Sequence, residues 1–279
     1  MHIRHATEEN LAIRWLAVDG LTIRTARRES EAGGTPLVIF NGIGASFEMM
    51  LPFMDAIPDA DIVTFDAPGA GKSAAPSFPW RFSAYARVAA RVMDEYGLES
   101  ANLVGVSWGG ALAQEFVRRY PDRVDKLILG VTSPGHIMFP GKPSAVLRMS
   151  NPRRYADPDY MKRIAGDLYG GKMRTNRLSA EEYAQLMTPP SRRGYYYQVL
   201  AGWGWSSLPW LSRIRQPTLV IQGEDDPIVP VANGRLLARL IPNASLMVVD
   251  CGHLCMLTRA RGVGAAVTRF LAGDLEKAA

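Results

Sequence analysis

The chain has 279 residues, 47% of them hydrophobic and 21% charged, with a formal net charge of +5. That suits one large α/β domain, or such a domain carrying an insertion, and excludes a disordered or low-complexity chain. No apolar run reaches the roughly 18 residues of a membrane span, and the first residues lack the apolar core of a signal peptide, so a cytoplasmic protein is expected. Cys251 and Cys255 are too few for a disulfide framework and make a poor metal site; they read as reduced, partly buried thiols.

In chain order, 12–18 and 21–26 alternate in polarity around Asp19-Gly20 and predict an opening hairpin. Thr35 to Phe40 is a continuous apolar run, as in a strand buried on both faces. The loop after it, Asn41-Gly42-Ile43-Gly44-Ala45-Ser46, is no dinucleotide fingerprint, because the third glycine would fall at Phe47. It reads either as an ordinary turn or as a glycine loop supplying an oxyanion donor, assigned to the backbone N–H of Ile43. Asp61 to Phe65 predicts the next core strand. Gly71-Lys72-Ser73 imitates the end of a phosphate-binding loop, but that motif needs glycine at Asp66, and Pro76 and Pro79 interrupt any helix. A crossover loop is the better account. Residues 82–96 have a helical period.

Asn102 to Val106 is a short apolar strand, and Ala111 to Val117 is helical in period. Between them stands Gly105-Val106-Ser107-Trp108-Gly109. A strand that turns straight into a helix bends sharply, and glycines beside the bend remove Cβ clashes. The bend lifts the serine side chain and aims the first helical N–H groups towards it, which is the nucleophile elbow of α/β-type serine hydrolases. Lys126 to Val131 is another buried strand. Strand and helix alternate to this point, implying a mostly parallel central sheet with helices on both faces.

The alternation then stops. From Pro134 to about Ser212 there is no buried-strand pattern, and eleven of the chain's aromatic residues crowd this stretch. It reads as an inserted helical cap, 134–212, on a core made of 1–133 and 213–279. Most cap aromatics are expected to pack it onto the core; a few, with Trp203, Trp205 and Tyr196 as candidates together with Leu254, are expected to line an apolar pocket. Residues 134–216 hold thirteen Lys/Arg against five Asp/Glu, whereas the rest of the chain is slightly acidic. The basic residues are scattered or paired, as in Arg153-Arg154, so a solvated face is favoured over a nucleic-acid stripe, and attraction to an anionic surface is a second reading.

The core resumes with a strand at 217–223, an acidic loop Glu224-Asp225-Asp226, a helix over 233–240, a last strand at 245–249, the loop Asp250-Cys251-Gly252-His253-Leu254 and a closing helix over 263–271. Ser107, Asp226 and His253 thus follow three separate strands, at the edge where α/β sheets place their sites. The order Ser, Asp, His is that of the α/β-hydrolase fold. A serine hydroxyl needs a base to take its proton, imidazole supplies one near neutral pH, and a carboxylate fixes the imidazole tautomer. Backbone N–H groups of Trp108 and Ile43 would hold the oxyanion. His253 is preferred to His136, His2 and His5 as the base, and Asp226 to Asp225 as the acid. No metal or organic cofactor is needed.

The stretches Val38 to Ala45, Gly105 to Gln114, Pro140 to Pro143, Ser150 to Tyr155, Tyr169-Gly170-Gly171, Gly194 to Gln198, Gly202 to Trp205 and Gln216 to Val220 resemble the intracellular medium-chain-length polyhydroxyalkanoate depolymerases. The resemblance runs from about Thr22 to Leu271. It implies an α/β-hydrolase fold, hydrolysis of storage polyesters of 3-hydroxyalkanoic acids at granules in the cytoplasm, and Ser107, Asp226 and His253 as the triad. A carboxylesterase, lactonase or carbon–carbon-bond hydrolase remains an alternative on the same fold, as does a granule-coating binding module without turnover.

Overall fold

A computed structural model describes residues 11–136, 138–176, 181 and 183–274. Its centre is an eight-stranded sheet in the order β1-β2-β4-β3-β5-β6-β7-β8. The strands are β1 (Ala12–Val18), β2 (Leu21–Arg28), β3 (Leu37–Phe40), β4 (Ile62–Phe65), β5 (Ala101–Val106), β6 (Val124–Gly130), β7 (Thr218–Gly223) and β8 (Ala244–Val249). β1 pairs antiparallel with β2, and β2 antiparallel with β4; all later pairs are parallel. The hairpin turn has positive φ at both central residues, 49° at Asp19 and 78° at Gly20, the geometry that lets two residues join twisted strands.

Helices α1 (Leu51–Asp55), α2 (Phe82–Glu95) and α3 (Trp108–Arg119) precede β6. Between β6 and β7 the structure describes α4 (Pro143–Met149), α5 (Arg153–Ala156), α6 (Pro158–Tyr169), α7 (Lys172–Thr175) and α8 (Arg192–Gly202) in full. After β7 come α9 (Val231–Leu240), α10 (Cys255–Thr258) and α11 (Ala260–Ala272). The period of two along each strand sorts the core into two layers. Val38, Phe40, Leu103, Leu127 and Leu129 point to the side covered by α2, α3 and α9. Leu37, Ile39, Val104, Ile128 and Ile221 point to the side covered by α1 and α11. Each such side chain contributes about 1.5–3 kcal/mol on burial.

A third apolar cluster joins the segment between β6 and β7 to this frame. Met161, Ile164, Ala165, Leu168 and Tyr169 of α6 meet Met49, Ile228, Val229 and Leu257. Among the described residues the segment contains no strand, only an isolated bridge between Gly135 and Ser206. Helices α1 and α10 answer to no element read from the sequence: each is about one turn long, too short to show a period. Both cysteines are buried free thiols, and burial pushes the Cys255 thiol well above its ordinary pKa. His2 and His5 lie outside the described residues. No described helix is long and apolar enough to cross a membrane.

Candidate active site

Ser107 sits between β5 and α3 with φ 54° and ψ −114°, a conformation that L-residues seldom adopt. The two motif glycines permit it by allowing backbone to approach closely. A Cβ on Gly109 would stand 2.1 Å from the Phe40 carbonyl oxygen, and one on Gly105 would stand 2.5 Å from that of Gly109. The strained residue is held from both sides. Its N–H donates to the Gly130 carbonyl at 2.8 Å, and its own carbonyl accepts from Thr132 Oγ1 at 2.7 Å.

The loop after β7 carries Asp226, whose Oδ1 accepts the N–H groups of Ile228 and Val229, both at 2.9 Å. Its Oδ2 lies 2.7 Å from His253 Nδ1. A carboxylate oxygen only accepts, so Nδ1 carries the proton, and the neutral ring leaves Nε2 as an acceptor. His253 Nε2 is 3.0 Å from Ser107 Oγ. Asp226 and His253 are both buried, at 5% exposure each, so water competes little for these bonds.

Trp108 is the first residue of α3, and its N–H has no carbonyl behind it within the helix. Ile43 borders the same space, and its neighbour Gly42 lies against Ser107, a Cβ there falling 3.8 Å from the serine Cβ. The glycine loop is fixed from above by Gln198 of α8. Gln198 Oε1 accepts from Gly44 N–H at 2.7 Å, and its carbonyl accepts the Trp108 indole N–H at 2.9 Å.

Above Ser107 and His253 is a cavity that is partly open to solvent. Met49, Met50, Leu254, Met256 and Leu257 form its apolar walls, and Arg154, Tyr155, Tyr169 and Tyr183 line its other side. Of the four pocket residues expected from sequence, only Leu254 lines this space. Trp203 is 76% exposed, with its ring against His136. Trp205 packs between Phe82 and Trp210 and donates its indole N–H to Glu115. Tyr196 points outward because α8 turns Tyr195 and Gln198, three apart, to its buried side. The expected solvated face fails at one position as well: Arg153 is exposed, but Arg154 is 2% exposed. Sequence reasoning passed over Arg154, Tyr169 and Gln198, because a paired arginine and scattered cap aromatics carry no period that marks them as buried.

The alternatives for base and acid lie elsewhere. His136 is exposed. Asp225 accepts from Arg174 Nε at 2.9 Å and from Gly171 N–H at 2.8 Å, and these partners hold its carboxyl below the usual range against the opposing effect of burial. It fastens α7 to the β7 loop. Beside it, His253 N–H donates to the Tyr169 carbonyl at 2.8 Å, and the Tyr169 ring lies nearly parallel to the imidazole, 12° apart with centroids at 6.3 Å.

Residues 35–260 match the family model of the α/β hydrolase fold. The poly(3-hydroxyalkanoate) depolymerase of Ectopseudomonas oleovorans is 45% identical over 95% of this chain and 94% of its own. A 2-hydroxy-6-oxononadienedioate/2-hydroxy-6-oxononatrienedioate hydrolase of Burkholderia vietnamiensis is 29% identical over 97% of this chain and 98% of its own. Among solved structures, the enol-lactonase of Burkholderia xenovorans superposes with a TM-score of 0.81 at 24% identity, over 93% of this chain and all of that one. The chain belongs to the α/β hydrolase family, and within it to the family of the Ectopseudomonas oleovorans depolymerase.

Proposed function

We propose that the protein is a serine hydrolase that cleaves ester bonds in aliphatic polyesters of 3-hydroxyalkanoic acids and their oligomers. The observation that supports this best is the unbroken hydrogen-bonded relay from Ser107 through His253 to Asp226 beneath an apolar cavity. The similarity to the Ectopseudomonas oleovorans protein supplies the substrate class. Ser107 Oγ attacks the ester carbonyl carbon while its proton passes to His253 Nε2. The N–H groups of Ile43 and Trp108 receive the oxyanion, each worth roughly 3 kcal/mol. The ester C–O bond then breaks with its electron pair on the leaving oxygen, which takes the proton from His253 and departs as an alcohol. Water gives a proton to His253 and its hydroxyl to the 3-hydroxyacyl carbonyl; Ser107 leaves reprotonated and the acid is released. Asp226 keeps the ring oriented and stabilises its charged form.

Residues 134–212 serve in this reading as a cap that excludes water from the cavity. Their basic excess draws the protein to the anionic coat of a polyester granule in the cytoplasm. Replacing Ser107→Ala is expected to lower turnover of p-nitrophenyl octanoate and of emulsified polyester by about 10⁴-fold or more, with the melting temperature unchanged. A variant that still hydrolyses both at the parent rate defeats the assignment.

A further inference from the structure

Arg154 is a buried cation to which the ester-hydrolase reading gives no role. It is 2% exposed, it lines the cavity that holds Ser107 and His253, and among the described residues no carboxylate pairs with it. Its surroundings are phenolic. Nη1 donates to Tyr169 Oη at 2.6 Å and Nη2 to Tyr195 Oη at 3.3 Å, while the guanidinium carbon stands 4.1 Å from the centroid of the Tyr155 ring. The phenol protons are largely spent elsewhere: Tyr155 donates to the Ile43 carbonyl and Tyr195 to the Met149 carbonyl. These phenols act on the cation as neutral acceptors and ring faces, and none supplies the opposite charge. Nε has no partner at all. A buried guanidinium is ordinarily matched by an anion, and Arg154 is among the residues that line the space where an ester would be cut.

A polyester of 3-hydroxy acids is uncharged along its length. It carries one anionic group, the free carboxylate at its end, separated from the last ester oxygen only by a methylene and a carbinol carbon. Arg154 stands one phenol ring from the base, since Tyr169 bonds the guanidinium through its hydroxyl and faces His253 with its ring. From these positions we infer that Arg154 binds the terminal carboxylate of the substrate chain and directs Ser107 to the last ester bond. The inference rests on the ester-hydrolase reading above. Cleavage there releases the terminal 3-hydroxy acid as the leaving alcohol, its oxygen taking the proton from His253, and leaves the shortened chain on Ser107 for hydrolysis. Each turnover regenerates a carboxylate end.

The test compares a linear 3-hydroxyoctanoate trimer bearing a free carboxyl end with its terminal methyl ester, using the full chain. Wild type is expected to favour the free acid in kcat/KM by at least about tenfold and to release monomer from the carboxyl end first. In Arg154→Met the ratio of the two should fall to near one, and in Arg154→Lys it should lie between. Equal kcat/KM for the two trimers in wild type overturns the inference without any variant, and so does an undiminished ratio in Arg154→Met. If neither trimer nor p-nitrophenyl octanoate is cleaved, the ester reading is what fails. The carboxylate site is then judged by binding: a rise in melting temperature with 3-hydroxyoctanoate but not with its methyl ester sustains it, and equal shifts overturn it.

Discussion

Asp66 shows how differently one residue reads in sequence and in space. In the sequence it is the residue that spoils an apparent phosphate loop. In the fold it is fully buried and accepts the N–H groups of Phe47 at 2.9 Å and Lys72 at 2.8 Å, pinning two loops beside the sheet. Burial outweighs these bonds and pushes its carboxyl up to about 6. The native state therefore holds a proton that the unfolded chain, with an ordinary carboxyl near 3.9, has already lost. Stability from this group is full below about pH 4 and is lost as pH rises towards about 6, at up to roughly 1.4 kcal/mol per pH unit. Urea unfolding of wild type and Asp66→Asn across that range checks it: wild type should lose stability relative to the variant as pH rises, and parallel curves would contradict the burial effect. At the same scale, Ser107, Asp226 and His253 were legible because each follows a recognisable strand in a loop of distinctive composition. Arg154 was not, since its burial depends on tyrosines at 155, 169, 183 and 195 converging from distant turns.

At the scale of elements, the end of α6 and the His253 loop meet backbone to backbone. A Cβ on Gly252 would lie 1.9 Å from the Tyr169 carbonyl oxygen, and one on Gly171, at φ 48°, would lie 2.1 Å from Gly252 N. That oxygen is also the acceptor for His253 N–H. Gly252→Ala should therefore displace the base together with α6, lowering kcat at least about tenfold and destabilising the fold by about 1–3 kcal/mol. Kinetics with p-nitrophenyl octanoate and a thermal melt check both; a variant as active and stable as its parent would show that the contact yields freely. The Tyr169-Gly170-Gly171 stretch was visible in the sequence, but not its partner, because close backbone contact between residues some eighty positions apart leaves no local pattern.

Over the whole molecule, the core strands were readable, but which residues of the cover face inward was not. Strands such as β3 and β6 are buried on both faces and announce themselves as apolar runs. The helices between β6 and β7 are short and are secured mainly by tertiary contacts, so their residues mix inward and outward roles without a long period. That is why Trp203 and Tyr196 were expected in the pocket and lie on the surface. The same segment concentrates the positive charge, with thirteen basic residues against five acidic over 134–216. Adsorption to anionic polyester particles should accordingly weaken as salt rises from about 0.01 to about 1 M, over which the screening length shrinks from roughly 30 to 3 Å. Sedimentation of the particles with bound protein measures it, and retention that ignores salt would assign adsorption to apolar contact instead.

The imidazole takes its backbone support and its stacking neighbour from the same overhanging tyrosine. A swing of those helices large enough to carry Tyr169 off would unseat the base too. The open enzyme would be an idle one, and a stray water molecule entering then would find no primed hydroxyl to meet.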